Sequence, residues 1–248
     1  MAHISKSQVK LVRSLQQKKV RDELGLFVAE GDKCIGELKG SFALELLADS
    51  TNATDLEISQ MSSLRTPQGS IAVFHKPQEQ PICSPLTLVL DGIQDPGNLG
   101  TIIRTCDWFG VNDIVCSLDT ADCYNPKVIQ ATMGALSRVR VHYTDLVPFL
   151  ETYHQAHPNL PIYGTLLEGK NMYLPDAIPS REEGIVIMGN EGNGISQSIR
   201  PLITHPLLIP SYTSHSTPTT STGGTGASHI ESLNVSIATA IILAELRR

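Results

Sequence analysis

The stretch that decides the fold is residues 184–194, GIVIMGNEGNG. Residues 185–188 form a short continuous apolar run, which is typical of a strand buried on both faces of a sheet. The run leads directly into GNEGNG, where three glycines in six positions let the backbone approach a ligand closely and adopt positive φ. The pattern predicts a buried strand that ends in a ligand-binding loop.

Two later segments are expected at the same edge of the sheet. Residues 207–209 form a second candidate strand, and Ser232-Leu233-Asn234 opens a helix for which Ser232 is the expected N-cap. Ligands bind outside the carboxyl ends of the strands in open α/β sheets. We therefore expect the glycine loop, Glu191, Ser232 and Asn234 to meet there.

Composition narrows the class of protein. The chain has 248 residues, of which 41% are hydrophobic, and this suits one or two domains with a substantial core. No apolar run approaches about 18 residues, so a membrane span is not expected. The five cysteines include no CxxC, which favours reduced thiols and a cytoplasmic location. His154 and His157 share a helix face without an evident third ligand, so no metal site is predicted.

Strands that alternate with helices predict an α/β fold with a mostly parallel sheet. Residues 1–75 read as a small α/β domain and residues 86–248 as a second, larger domain. Between them, residues 76–85 hold three prolines in ten positions and are interpreted as a linker.

The charge is unevenly distributed. The net charge is −6, yet the first 21 residues carry six basic side chains and no acidic one, which leaves −12 on the remainder. Such a basic segment can bind a polyanion, and it can equally be an ordinary solvated helix face. The candidate contacts are Lys10, Arg13, Lys18 and Lys19.

Three sequence blocks occur in a fixed order: DGIQDPGNLGTIIRTCDWFG at 91–110, IMGNEGNG at 187–194, and IP followed after an insert by SLNVS at 232–236. Together they closely resemble the signature motifs of the SpoU (TrmH-type) RNA ribose 2′-O-methyltransferases of the SPOUT superfamily. The resemblance covers roughly residues 86–248. More faintly, QQKKVRDELGLFVAEG at 16–31 resembles the ribosomal-protein-like RNA-binding domain that precedes many of these catalytic domains.

The resemblance implies a C-terminal deep trefoil knot whose loops bind S-adenosylmethionine. It also implies methyl transfer to a ribose 2′-hydroxyl of RNA, with ribosomal RNA favoured over transfer RNA by the two-domain layout. A homodimer that meets through the C-terminal helix is expected. Leu233, Ile237, Ala240, Ile241 and Ala244 form one stripe of that helix, and Val235, Ala238, Ile242 and Leu246 form the apolar face proposed for the two-fold contact.

The site residues follow from the matching motif positions. The family's catalytic positions correspond to Asn98, Arg104, Glu191, Ser232 and Asn234, and its cofactor positions to Leu166, Gly189, Ile209 and Leu233. Lys127, in NPKVIQATMG at 125–134, is a further RNA-binding candidate. Because a free guanidinium stays protonated, we assign Arg104 to gripping phosphate and stabilising the developing alkoxide rather than to acting as a base.

Several alternatives stay open at this point. Arg104 could form a surface ion pair with Asp107 at i+3, and Glu191 could cap amides of its own loop. The protein could be an RNA-binding protein with a non-catalytic domain, or a dinucleotide-dependent oxidoreductase, although GxGxxG is missing after the first strand. The Ser/Thr/Gly-rich insert between Pro210 and Ser232 is interpreted as a tolerated excursion, with a lid as the alternative.

Overall fold

The structure is a computed structural model that describes residues 3–212 and 233–248. Most of the predicted insert, and also Ser232 that follows it, therefore lie outside the described residues. The helices are α1 Lys6–Ser14, α2 Lys18–Leu24, α3 Asp32–Leu38, α4 Asp55–Met61, α5 Pro96–Trp108, α6 Pro126–Thr132, α7 Leu146–Ala156 and α8 Val235–Leu246. The strands are β1 Leu26–Glu30, β2 Leu44–Ala48, β3 Ile71–His75, β4 Leu86–Asp91, β5 Asp113–Cys116, β6 Arg140–Tyr143, β7 Ile162–Asn171, β8 Gly184–Gly189 and β9 His205–Leu208.

The N-terminal unit is built on a three-stranded antiparallel sheet in the order β1-β3-β2. Helix α1 begins at a capping box in which Ser5 and Gln8 each satisfy the other's backbone amide. Helix α2 ends at Gly25, whose φ of 63° is the left-handed conformation that glycine adopts at low cost. Helices and strands thus alternate in this part of the chain.

Local residues set the bounds of two further helices. Helix α4 begins at Asp55, where Thr54 and Glu57 form a capping box. Helix α6 ends after Thr132, because Met133 adopts a left-handed φ of 52°. A short 3-10 turn, Ala135–Ser137, follows.

The second unit is a six-stranded sheet in the order β6-β5-β4-β8-β7-β9, and every neighbouring pair is parallel. The predicted α/β class with a mostly parallel sheet is thus confirmed. β4 and β8, the apolar strands that lead into the first and second motifs, lie side by side from Leu86↔Gly184 to Asp91↔Gly189. Their carboxyl ends therefore stop at the same level.

The two units share one hydrophobic core. The Phe27 ring of β1 lies 5.0 Å from the Tyr124 ring of the larger unit. Arg21 of α2 is 1% exposed, and its guanidinium contacts the Asp122 carboxylate at 2.5 Å. Arg21 had been counted in the basic N-terminal segment, but it is a buried bridge between the units and is not available to a polyanion.

Residues 76–85, the predicted linker, contain no helix or strand, and their C-terminal end is fastened to the larger sheet. Asp113, which is fully buried, accepts hydrogen bonds from the amide and hydroxyl of Ser84 and from Arg140 and His142 of β6. Burial alone would raise the pKa of Asp113, but the hydrogen bonds from Arg140, Ser84 and His142 outweigh it and hold the pKa well below its usual range.

Candidate active site at the carboxyl edge of the parallel sheet

The glycine loop that follows β8, residues 189–194, is held in a turn by hydrogen bonds of the Asn190 side chain. The Asn190 amide group donates to the carbonyl of Gly92 at 2.8 Å, and its carbonyl oxygen accepts from the amides of Gly192 and Asn193. Backbone bonds between Asn190 and Gly194 complete a tight turn. The loop is thereby held against the end of β4, where the first motif begins.

A chain of side-chain hydrogen bonds joins the three motifs. The Asn98 amide nitrogen, near the start of α5, donates to a carboxylate oxygen of Glu191 in the glycine loop. The Asn234 amide nitrogen donates to the carbonyl oxygen of Asn98 at 2.9 Å. Residues far apart in sequence therefore meet at one point. Glu191 accepts a hydrogen bond from Asn98 of the first motif. The amides of the glycine loop are accepted by Asn190, so the alternative in which Glu191 caps them is not observed in the described residues.

Local capping explains why Asn98 and Asn234 are so well placed. Asp95 is the N-cap of α5 and accepts from the Asn98 amide at 2.8 Å, so Asn98 lies in the first turn. Asn234 is itself the N-cap of α8 and accepts from the amides of Ser236 and Ile237. The prediction that Ser232 caps this helix is therefore wrong. Ser232 itself lies outside the described residues, so its predicted catalytic role stays a prediction.

Arg104 stands apart from this chain of asparagines and glutamate. It follows Asn98 by six residues on α5, which at helical geometry is about 9 Å along the axis and about a third of a turn around it. Its side chain is exposed, and within residues 3–212 and 233–248 it has no hydrogen-bond or ion-pair partner. The alternative pair with Asp107 is not formed, because Asp107 is bound by Arg138.

The cofactor candidates gather at neighbouring strand ends. β7 and β8 pair up to Gly164↔Ile187, and Leu166 and Gly189 each follow that last pair by two residues. β9 pairs with β7 up to Asn171↔Leu208, across an irregularity between Thr165 and Lys170, and Ile209 follows Leu208 directly. Leu233, just before α8, is 45% exposed. The structure thus brings strand ends together at these positions.

These residues suit a cofactor with an adenine and a positively charged sulfur. Exposed or half-buried apolar side chains at Ile209 and Leu233 can cover the faces of a purine. The loop segments 189–194, 208–210 and 233–234 contain no lysine or arginine, and Glu191 is the one charged residue among them. A sulfonium would therefore meet a carboxylate and no competing cation.

The RNA-binding candidates fall into two groups. Lys18 and Lys19 of α2 are exposed but already pair with Asp22 at 2.8 Å and Glu23 at 3.8 Å, respectively. The others are exposed and have no ion pair within the described residues: Lys10, Arg13 and Lys127. Lys127 lies in the first turn of α6, which Asn125 caps.

A groove between α5 and α8 is left open on the surface. It is lined by Thr101, Thr105, Phe109, Ser236, Ile237, Ala240, Ile241 and Ala244. Ile237 is 53% exposed, and on α5 Trp108 is 84% exposed. In contrast, Val235, Ile242 and Leu246 are buried in the chain's own core. The predicted contact face of the last helix is therefore wrong, and the free face is the opposite one.

A second contact between β4 and the segment after the glycine loop was not predicted from the sequence. Asp91, the last residue of β4, accepts hydrogen bonds from the amide (2.7 Å) and hydroxyl of Ser196. A carboxylate at the end of a buried strand and a serine two residues after the glycine loop were the available signals. Their pairing could be inferred only once β4 and β8 were known to be neighbours.

Two predicted absences can be compared with the described residues. No helix there is long and apolar enough to cross a membrane. Within the same ranges, no cluster of three or more histidine, cysteine, aspartate or glutamate side chains could hold a metal ion.

Comparison with known proteins agrees with this geometry. Residues 85–217 match the SpoU rRNA methylase family, and residues 6–54 match the MRM3-like substrate binding domain. This chain belongs to the SpoU rRNA methylase family. The resemblance inferred from the sequence motifs is thus confirmed, and so is the fold class. The family's trefoil knot stays a prediction for this member.

Individual SpoU relatives cover nearly the whole chain. A 23S rRNA (guanosine(2553)-2′-O)-methyltransferase of Bacillus subtilis is 30% identical, with 97% of this chain and 96% of that protein covered. A TrmH-family protein from Porphyromonas gingivalis superposes with a TM-score of 0.84 at 36% identity, covering 99% of each chain. An AdoMet-bound rRNA methyltransferase from Sinorhizobium meliloti superposes with a TM-score of 0.80 at 26% identity, covering 100% of this chain and 96% of the other.

Proposed function

We infer that the protein is an S-adenosylmethionine-dependent RNA 2′-O-ribose methyltransferase that acts on ribosomal RNA. Membership of the SpoU family supports the reaction, and relatives named as 23S rRNA methyltransferases support the substrate class. The observation that carries the inference is the hydrogen-bonded chain Glu191–Asn98–Asn234, because it unites all three motifs beside the cofactor strand ends. A degenerate, non-catalytic domain would have no need to retain it.

S-adenosylmethionine supplies the methyl group when it is bound. We propose that backbone at Gly189, Ile209 and Leu233 holds the cofactor, with Leu166 at the rim. Asn98 and Glu191 keep the glycine loop in the shape that this binding requires, and Asn234 fixes the start of α8 to the same point. These residues therefore orient the site and do not need to carry a proton themselves.

Arg104 is proposed to act on the RNA. Its guanidinium is exposed and unpaired within the described residues, so both edges of its planar fork are free for a phosphate. A grip on the phosphate next to the target ribose would position the 2′-hydroxyl and stabilise the negative charge that develops on its oxygen. Lys127, also exposed, would contact RNA on the α6 side.

We propose that residues 1–75 bind RNA through Lys10 and Arg13, with smaller contributions from Lys18 and Lys19. The match to a substrate binding domain over residues 6–54 supports the role. The unit is tied to the larger one through the buried Arg21–Asp122 pair, so RNA bound on it would be held at a fixed distance from Arg104.

A homodimer is proposed, with the α5–α8 groove as its interface. Ile237 and Trp108 are large, exposed apolar side chains on its two sides, and a two-fold contact would bury them. Arg104 lies one turn from Trp108 on the same helix face, so the second copy would border the proposed RNA site.

The free thiols suit a cytoplasmic enzyme. Cys34, Cys106, Cys116 and Cys123 are buried and unpaired by disulfides in the described chain. We propose that the protein works in the cytoplasm, where ribosomal RNA is available to it.

The test of the function is methyl transfer in vitro. Purified protein would be incubated with S-adenosylmethionine carrying a labelled methyl group and, in separate reactions, with total ribosomal RNA and with transfer RNA from a strain that lacks the gene. We expect label at one ribose 2′-oxygen, mapped by resistance of that position to alkaline cleavage. Label on a base, label on transfer RNA alone, or no label on either RNA would contradict the proposal.

A further inference from the structure

Asp107 lies where it could neutralise Arg104. The two residues are three apart on α5, a spacing at which an arginine and an aspartate of one helix commonly form an ion pair. Asp107 is nevertheless turned to another partner. Arg138, just after the 3-10 turn Ala135–Ser137, donates from Nε to Oδ1 and from Nη2 to Oδ2, each at 2.8 Å.

The Arg138 side chain is held from a second side as well. Its remaining terminal nitrogen, Nη1, donates to the Glu37 carboxylate at 2.8 Å, and Glu37 belongs to α3 of the N-terminal unit. A guanidinium that makes a two-point contact with one carboxylate and a further contact with another has a fixed orientation. It therefore outcompetes a neighbour on the same helix for Asp107.

We propose that Arg138 is a positioning residue for methyl transfer: it holds the Asp107 carboxylate away from Arg104 and so keeps the Arg104 guanidinium available for RNA phosphate. The inference rests on the proposed role of Arg104. It gives a reason why Arg104 is exposed without a partner in the described structure although an acidic residue is one turn away.

Removal of Arg138 would have two consequences. Asp107, freed from its partner, would compete with the RNA for Arg104. Its uncompensated negative charge would also lie within one helical turn of the phosphate site and repel the substrate. Both consequences act on RNA binding and placement, and neither touches the cofactor loop.

The experiment compares Arg138→Ala, Asp107→Asn and the double variant. Methyl transfer to ribosomal RNA from a gene-deleted strain would be measured at several salt concentrations, with the affinity for S-adenosylhomocysteine measured in parallel. We expect Arg138→Ala to lower kcat/KM for RNA about 3- to 10-fold, mainly through KM, because an exposed helical pair and a screened repulsion are individually small. Asp107→Asn should stay within about 2-fold of the wild type, since no charge is left to neutralise Arg104.

The decisive result is rescue. In the double variant the carboxylate is gone, so we expect kcat/KM to return to within about 2-fold of the wild type although the Arg138–Asp107 bridge is still absent. The deficit of Arg138→Ala should also shrink at high salt, and cofactor affinity should be unchanged in all variants.

Other outcomes overturn the inference. If the double variant is as impaired as Arg138→Ala, the bridge matters only for structure; if Arg138→Ala behaves as the wild type, the bridge does not matter for the reaction. Should Arg138→Ala fail to fold, Arg138→Gln with and without Asp107→Asn provides the same comparison, because glutamine also leaves Asp107 without a cationic partner. A wild-type protein that methylates no RNA contradicts the proposed function instead, so the two failures are distinguishable.

Discussion

Two basic regions of this protein use their charge differently. In the first 21 residues, six basic side chains occur without an acid, but Arg21 is buried against Asp122 and the α2 lysines pair with acids one turn later. On α5, a single arginine, Arg104, stays exposed and unpaired within the described residues because a neighbouring acid is bound elsewhere.

The comparison teaches that a count of basic residues in the sequence overstates how many of them remain exposed and unpaired after folding. A basic run predicted a polyanion-binding surface, and folding used part of it for structure. A lone arginine beside an aspartate left a simple ion pair open as an alternative, and in the folded chain that aspartate is bound by Arg138 instead. Which basic groups remain free depends on acids that are distant in sequence, such as Asp122 and, for Arg138, Asp107.

The largest effect is expected at Arg21. Arg21→Ala would leave the buried Asp122 carboxylate without its partner and two backbone carbonyls without their donor. Breaking such a pair from one side typically costs about 3–5 kcal/mol of unfolding free energy. Denaturant unfolding measures this loss of unfolding free energy, with Arg21→Met as a second variant.

Arg13→Ala, at an exposed position of the same segment, is the matched control and should change the unfolding free energy by less than about 0.5 kcal/mol. Equal losses at the two positions would contradict the contrast between structural and free charge.

The next largest effect is expected at Arg104. We expect Arg104→Ala to lower single-turnover methyl transfer by about 10²–10³, which is the usual result of removing one preorganised charge-stabilising group. Cofactor affinity, measured by calorimetry, should hardly change, because Arg104 makes no described contact with the Asn98 network. Arg104→Lys should recover little, since an ammonium lacks the planar fork.

Arg65→Ala is the control for Arg104, because it removes an exposed arginine of the N-terminal unit. A folded Arg104→Ala protein that loses the cofactor, or that retains near-normal turnover, would show that the division of roles is wrong. The same result would remove the basis of the Arg138 inference.

Much of the catalytic unit could be predicted from the sequence because its motifs are local. The apolar run at residues 185–188 predicted β8 to within a residue at each end, and the order of the three motifs indicated the family. Glu191 and Asn234 were predicted to converge, and they share one hydrogen-bonded chain through Asn98. Strand ends and helix starts are fixed by residues close in sequence, which a single chain reveals.

Features that depend on distant pairs could not be predicted. Arg21 contacts Asp122 and Arg138 contacts Glu37 only where the two units pack together, and the other acid of Arg138, Asp107, lies on a different element of the same unit. The two apolar faces of α8 could not be told apart, because the helix is apolar nearly all round and either stripe could face the core. The N-cap of α8 was predicted at Ser232 and lies at Asn234. Serine and asparagine both cap helices well, so the sequence alone did not decide between them.

The third prediction concerns the free face of α8. Ile237→Asp places a charge in the α5–α8 groove, where a second copy is proposed to bind, and should weaken self-association by about 30-fold or more, as expected for a central interface position. Light scattering at micromolar concentration measures the mass. Leu56→Asp, at an exposed position of α4, is the control and should leave the mass unchanged. A wild-type monomer, or an Ile237→Asp protein with wild-type mass, would contradict the proposed interface.

The smallest expected effect is a difference in the salt dependence of RNA binding between the unpaired and the paired basic residues of the N-terminal segment. Each phosphate that a side chain neutralises on single-stranded RNA contributes about −0.7 to the slope of log affinity against log salt. Replacing Lys10 and Arg13 together by alanine should therefore make the slope less steep by about 1.4. Replacing Lys18 and Lys19 should change it less, because each must leave Asp22 or Glu23 before it binds phosphate, and the freed acid then repels the RNA. Both double variants remove two formal charges, so net charge alone predicts equal changes. Equal slopes for the two variants would mean that the helical ion pairs of α2 do not restrict its lysines, and an unchanged slope in both would place the RNA elsewhere on the molecule.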